Sequence, residues 1–248
     1  NGHLTLTRPA LPKLRENNTL TSSPPRHKMA GRTKFIYAAL NEYVRAGSLN
    51  MDKANCGRAV ANGAISVRRA ALSDAPALLD IYNYYITNTA VTFEDDTLDN
   101  VGFAERMSSI LSFYPYFVAE VGGEVVGYAY AGKFKNRSAY DWAVETTVYV
   151  KNGMEQRGIG SALYSALEGA LRSQGIKNMY ACIACPKRED KYLTFGSVNF
   201  HKRLGFRLVG KFKSCGSKFG VWYDMVWMEK FIAKHTANPV RPQKYKNN

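Results

Sequence analysis

The residues best placed to do chemistry lie between Val144 and Leu171, in the segment VETTVYVKNGMEQRGIGSALYSALEGAL. Glu145 sits inside a β-branched and aromatic run, where alternation sends Val144, Thr146, Val148 and Val150 to one face and Glu145, Thr147 and Tyr149 to the other. A carboxylate in such a run is costly unless it has an ion-pair partner, an edge position or a cleft to line. In the last case it suits a general base. Further on, Gly158-Ile159-Gly160-Ser161 lets backbone amides approach a ligand closely where a helix begins. A helix start of this kind binds anions, phosphate above all. Two glycines also occur in ordinary strand–helix turns. A Walker loop is excluded because Gly-Lys-Ser/Thr is missing, and a dinucleotide fingerprint because the third glycine is missing.

His201, in SVNFHKRLGF, is the third candidate, either a structural imidazole or a proton carrier on a short helix stopped by Gly205. Cys182-Ile-Ala-Cys185 lies on a strand before Pro186. Without a second pair or nearby His ligands it is read as core thiols, with no metal site expected.

These groups need a frame. The helix after the glycine turn carries Leu163, Leu167, Ala170 and Leu171 at i, i+4, i+7 and i+8. Upstream, ISVRRA reads as a strand, and Ser73 can cap a helix carrying Leu78, Ile81, Tyr82, Tyr85 and Ile86. A loop with Thr92-Phe93-Glu94 leads to a helix near Asn100–Phe113, then to the hairpin YFVAEV–Gly122-Gly123–EVVGYAYAG. Downstream come the strand MYACIACP, a helix over Val198–Leu204, and the strands FRLVGKFK and VWYDMVWME. The expected class is α/β (α+β), a mixed sheet of about seven strands with helices on both faces.

The net charge of +14 over 248 residues suggests nucleic-acid binding until it is divided. Residues 1–64 carry ten Lys/Arg against three Asp/Glu, 65–230 twenty against seventeen, and 231–248 four against none. The excess belongs to the ends, which weakens the case for nucleic acid as a partner. Three regions are expected: a mostly disordered basic leader over 1–64, a regular folded domain over 65–232 and a loose basic tail over 233–248. The leader opens on Asn; Met29 and Met51 are candidate native starts, and Thr33–Ala46 is a candidate short helix. No run reaches the roughly eighteen apolar residues of a membrane span, and the N-terminus lacks a signal-peptide core. Four cysteines do not form a disulfide scaffold. A soluble cytoplasmic protein is expected.

Six blocks, in order, carry a specific resemblance: IYNYYITNTAVTFE, YPYFVAEVGGEVVGYAYAG, KNRSAYDWAVETTVYV, GIGSALY, NFHKRLGF and KFGVWYDMVWMEK. Over Ile65–Ile232 the chain resembles the GNAT superfamily of N-acetyltransferases, in its phosphinothricin acetyltransferase-like branch. The resemblance implies the GNAT fold and acetyl-coenzyme A as co-substrate, held where two parallel strands splay apart. It implies that Val148 and Val150 meet the pantetheine arm and that Arg157, Gly158, Ile159, Gly160 and Ser161 cradle the pyrophosphate. Glu145 matches the acidic base, and His201 the catalytic His of the branch. Phe93, Lys135, Arg137 and Tyr140 match its acceptor-pocket positions. Such a set suits a small zwitterion bearing a carboxylate or phosphinate; the alternative is a solvated basic loop of Lys133, Lys135 and Arg137. A homodimer is also implied.

Three departures qualify the match. Glu155 stands where Gln or Arg usually precedes the glycines, so weaker coenzyme binding is expected. The loop after Cys185 (PKREDKYLTFGS) is long. Ser217-Lys218-Phe219-Gly220-Val221-Trp222 replaces a motif that usually opens on Tyr, which allows a different amino compound. The expected activity is acetyl transfer to the amine of a phosphinothricin, methionine sulfoximine or methionine sulfone type acceptor by direct attack. The alternatives are acetylation of a peptide, protein or aminoglycoside amine, and a non-catalytic polyanion-binding protein.

Overall fold

The structure is a computed structural model that describes residues 63–246. The expected leader, except its last two residues, and the helix expected at Thr33–Ala46 lie outside the described residues.

β1 (Ile65–Arg69) leads through a 3-10 turn (Leu72–Asp74) into α1 (Ala75–Asn88), and α2 (Asn100–Leu111) follows. Next come β2 (Tyr116–Val121), β3 (Glu124–Lys133), β4 (Ala143–Val150), α3 (Ile159–Gln174) and β5 (Asn178–Cys185). The chain then forms α4 (Gly196–Arg203), β6 (Arg207–Lys218) and β7 (Val221–Phe231). Ser73, expected as a cap, falls inside the 3-10 turn instead. Asp74 governs this entry: it accepts from the Ala71 amide at 2.8 Å and takes both guanidinium arms of Arg68 at 2.8 Å. Pro76 in the first turn then fits α1, where its missing N–H costs nothing. Among the described residues no helix is long and apolar enough to cross a membrane.

The seven strands form one mixed sheet in the order β1-β2-β3-β4-β5-β7-β6. Only β4 and β5 run parallel; every other pair is antiparallel. Val144, Met179, Ala181 and Val226 pack with Leu163, Leu167 and Leu171 of α3 on one face. The opposite face meets α1, where Tyr149 packs against Tyr82 and Tyr85 with ring centroids 5.1 Å apart in each case. Alternation along β4 therefore gives Glu145 to the α1 side and Thr146 and Val148 to the α3 side.

The site follows from how β4 is paired. Against β3 it is paired along its length, from Lys133–Val144 to Gly127–Val150. Against β5 it is paired only from Ala143–Asn178 to Glu145–Tyr180. Beyond Glu145 the two parallel strands continue without pairing and leave a gap in the sheet. Gly127 closes the other flank: a Cβ there would lie 2.9 Å from the Tyr149 carbonyl and 3.1 Å from Ile159 Cγ2. That bare backbone lets α3 begin close against β3 and β4.

Residues 233–246, expected to trail loosely, form no helix or strand but lie against the domain. Trp142 Nε1 donates to the Val240 carbonyl at 2.8 Å, Arg241 pairs with Asp141 at 2.6 Å, and the Tyr245 amide donates to Phe113 at 2.9 Å. Specific side chains elsewhere in the fold hold this stretch, so its sequence carries no periodicity of its own.

Candidate active site

A cleft of about 280 Å³, open to solvent, occupies the gap between β4 and β5. Both faces of the sheet line it. Glu145, Thr147 and Cys182 contribute from the α1 side, and Thr146, Val148, Tyr164 and His201 from the α3 side. The Lys151 amide donates to the Val126 carbonyl at 2.8 Å. In an antiparallel ladder, odd-numbered residues of this strand thus turn their main chain to β3, and Val148 and Val150 turn theirs to the gap. The Val150 carbonyl already accepts from the Tyr85 hydroxyl at 2.7 Å.

Glu145 is half-buried on a central strand, which removes the edge-strand reading. Among the described residues no hydrogen bond or salt bridge engages its carboxylate. Burial raises its pKa, opposed by the charge of Lys135. A carboxylate of this kind takes up a proton more readily than an exposed one.

On the opposite face His201 is 3% exposed. Its Nδ1 lies 2.8 Å from the Ser197 carbonyl, which can only accept, so Nδ1 carries the proton. Burial pushes the imidazole pKa down to about 4, against the Ser197 bond, and the ring is neutral at pH 7. Nε2 is then an acceptor, and the Tyr164 hydroxyl 2.8 Å away is its donor. The Tyr164 oxygen also lies 3.1 Å from Thr146 Oγ1, which reaches the Tyr180 carbonyl at 3.0 Å. This buried relay links α4, α3, β4 and β5 through the wall of the cleft.

At the mouth the chain turns left-handed at Gly153, Gln156 and Gly158 before α3. No side chain caps α3, so its first-turn amides are available to a ligand. A Cβ on Gly160 would lie 3.0 Å from Phe200, a second close approach. Arg157 and Ser161 are exposed. Glu155 is turned back on its own loop, accepting from the Gly153 amide at 2.8 Å.

The sequence profile described as an acetyltransferase (GNAT) domain matches residues 67–227. The chain belongs to the GNAT acetyltransferases. It is 36% identical over 179 residues to a phosphinothricin N-acetyltransferase of Streptomyces viridochromogenes, covering 72% of this chain and 94% of that one. It is 32% identical over 169 residues to an L-methionine sulfoximine/L-methionine sulfone acetyltransferase of Pseudomonas aeruginosa, covering 66% and 92%. A solved phosphinothricin acetyltransferase from Sinorhizobium meliloti, in complex with AcCoA, superposes with a TM-score of 0.64 at 32% identity. That match covers 74% of this chain and 99% of the other.

In this acetyltransferase the cleft brings together Glu145, His201, Val148 and Phe93. The rest of the expected acceptor pocket is not assembled around it. Lys135 lies within electrostatic reach of Glu145, its ammonium 4.8 Å from the Phe134 ring and 5.8 Å from Trp227. Arg137 is exposed at the start of a 3-10 turn, Ser138–Tyr140, and lines no part of the cleft. That turn carries Tyr140 into a separate groove with Trp142, Asn178 and His235. The reading of Lys133 and its neighbours as a solvated basic loop is partly met by the Lys133–Asp141 pair at 3.9 Å.

Tyr164 and Lys218 of the acetyltransferase are functional candidates that sequence reasoning missed. Tyr164 shares the apolar face of α3, and its polar partner lies 37 residues away on α4. Lys218 is one of many cations near the strand ends, and nothing local marks it as 4% exposed.

Proposed function

We propose that this acetyltransferase transfers acetyl from acetyl-CoA to the primary amine of a small amino acid analogue of the phosphinothricin, methionine sulfoximine or methionine sulfone type. One observation carries the reading: a cleft through the sheet with an unpaired carboxylate on one face and a buried Tyr–His pair on the other. The residues present fit acetyl-CoA. The outward main chain of Val148 and Val150 suits its amide arm. The uncapped start of α3, with Arg157 beside it, suits its pyrophosphate. Glu155 faces its own loop amide, which lessens the repulsion expected from its sequence position.

Glu145 takes the ammonium proton, and the freed amine attacks the thioester carbonyl. When the C–S bond breaks, the coenzyme thiolate leaves on the α3 side and takes its proton from solvent in the open cleft, beside the Tyr164 hydroxyl, whose own proton is held by His201 Nε2. Neutral His201 fixes the orientation of that hydroxyl and is not itself a proton donor at pH 7. Attack is direct. Among the described residues the one cleft-lining thiol, Cys182, has its pKa pushed up to about 11 by burial and by Glu145, so it is not a thiolate nucleophile at neutral pH. Lys135, outside the cleft lining but within electrostatic reach of Glu145, supplies the charge for an acceptor carboxylate.

A panel of amines with acetyl-CoA, read by mass spectrometry, tests the acceptor class. Acetylated methionine sulfoximine, methionine sulfone or phosphinothricin supports the reading. Products only from peptides or aminoglycosides, or salt-sensitive nucleic-acid binding without turnover, overturn it.

The proposal includes a cytoplasmic homodimer. Free Cys182, Cys185 and Cys215 suit a reducing compartment. Leu208, Phe212 and Trp222 are each more than half exposed on the β6–β7 hairpin, whose outer strand is an unpaired edge. Sedimentation is expected to show twice the chain mass, and Trp222→Glu to halve it. A wild-type monomer at micromolar concentration contradicts the dimer.

A further inference from the structure

We propose that Lys218 and Gly216 act as positioning residues that fix Phe93 over the cleft and thereby limit the size of the acceptor side chain. The proposal rests on the acetyl-transfer reading and extends it to residues outside the reacting centre.

Phe93 belongs to the connection between α1 and α2 and lines the cleft. The Lys218 ammonium donates to the carbonyls on either side of it, Thr92 at 2.9 Å and Glu94 at 2.7 Å. A buried cation is costly, and burial lowers this one's pKa against the pull of Asp95 and Glu94. Its bonds go to main-chain acceptors flanking one ring, a job no apolar side chain of the same length performs. Gly216, two residues earlier, leaves bare backbone beneath that ring. A Cβ there would lie 2.4 Å from Phe93 Cε2 and 2.7 Å from Cδ2 and Cζ. The φ of Gly216 is ordinary, so the constraint comes from the ring and not from backbone conformation. Tyr223 on β7 stacks on Phe93 from the side, with centroids 6.5 Å apart. The loop before α4 completes the anchor: the Ala90 amide donates to the Tyr192 carbonyl at 3.0 Å, and Tyr192 stacks on Phe219 at 4.3 Å. The hairpin tip thus determines how far the Phe93 ring projects over Glu145's side of the gap. That projection limits the size of the acceptor side chain.

Hydrogen exchange and steady-state kinetics on the full chain test this. In Lys218→Met, amides of residues 89–95 are expected to exchange about tenfold faster. The acceptor KM is expected to rise about tenfold, with the acetyl-CoA KM within about twofold of wild type. Gly216→Ala displaces the ring without removing a charge and is expected to raise the acceptor KM alone. Adding Phe93→Leu, which removes the ring atoms that the new methyl meets, is expected to recover part of that rise. Unchanged exchange at 89–95 in Lys218→Met overturns the latch. KM values for both substrates moving together, or no recovery in the Gly216→Ala/Phe93→Leu pair, overturns the specificity role. If wild type acetylates no small amine, the transfer reading fails, while the exchange rates still decide the latch.

Discussion

Glu145→Gln is expected to lower kcat by about 10²–10⁴-fold, the usual worth of a positioned general base, with acetyl-CoA binding by calorimetry unchanged. The substitution keeps size and polarity and removes the proton acceptor. Its effect separates an acetyltransferase from a protein that only binds polyanions, in which a cleft-lining carboxylate has no role. The pH profile adds a second test. Burial raises the Glu145 pKa, and the group works only when ionised. Activity is therefore lost as pH falls through a value above the ordinary carboxylate range, and the residual rate of Glu145→Gln has no such limb. A wild-type acid limb at or below the ordinary Glu value, or a variant within about threefold of wild type, removes Glu145 from the proton transfer.

The second large effect concerns stability. The unfolded chain protonates His201 near pH 6.5, whereas the folded ring stays neutral until about pH 4. Between those values the unfolded state binds the extra proton, so acidification favours unfolding. The expected loss is about 3 kcal/mol as pH falls from about 6.5 to about 4, on top of the carboxylate titrations. His201→Gln lacks this contribution. Urea titrations at pH 7 and pH 4.5 are expected to show a steeper acid loss in wild type than in the variant. Equal acid losses in the two proteins rule out a buried neutral imidazole at this position.

Much of the frame of this site is legible in the sequence. β4, the glycine turn and α3 carry local signals, a β-branched run and an i, i+4, i+7 stripe, and they occur where expected. Alternation along β4 placed Glu145 opposite Thr146 and Val148, and the splayed β4–β5 gap turns that alternation into the two walls of one cleft. What was hidden depends on partners far apart in the chain. Tyr164 looks like one more apolar residue of α3 until α4 brings His201 to it. Lys218 looks like an exposed lysine until Thr92 and Glu94, more than 120 residues earlier, are found at its ammonium. Arg137 and Tyr140 came from the family resemblance alone, and a 3-10 turn carries Tyr140 into a separate groove and leaves Arg137 exposed.

The measurement closest to the central claim is the rate of free-thiol release from acetyl-CoA by the wild-type protein with methionine sulfoximine, methionine sulfone and phosphinothricin. Saturable release with at least one of the three, giving the N-acetyl product and falling at least a hundredfold in Glu145→Gln, is the predicted result. A folded protein that binds acetyl-CoA yet releases no thiol with any of them contradicts the account.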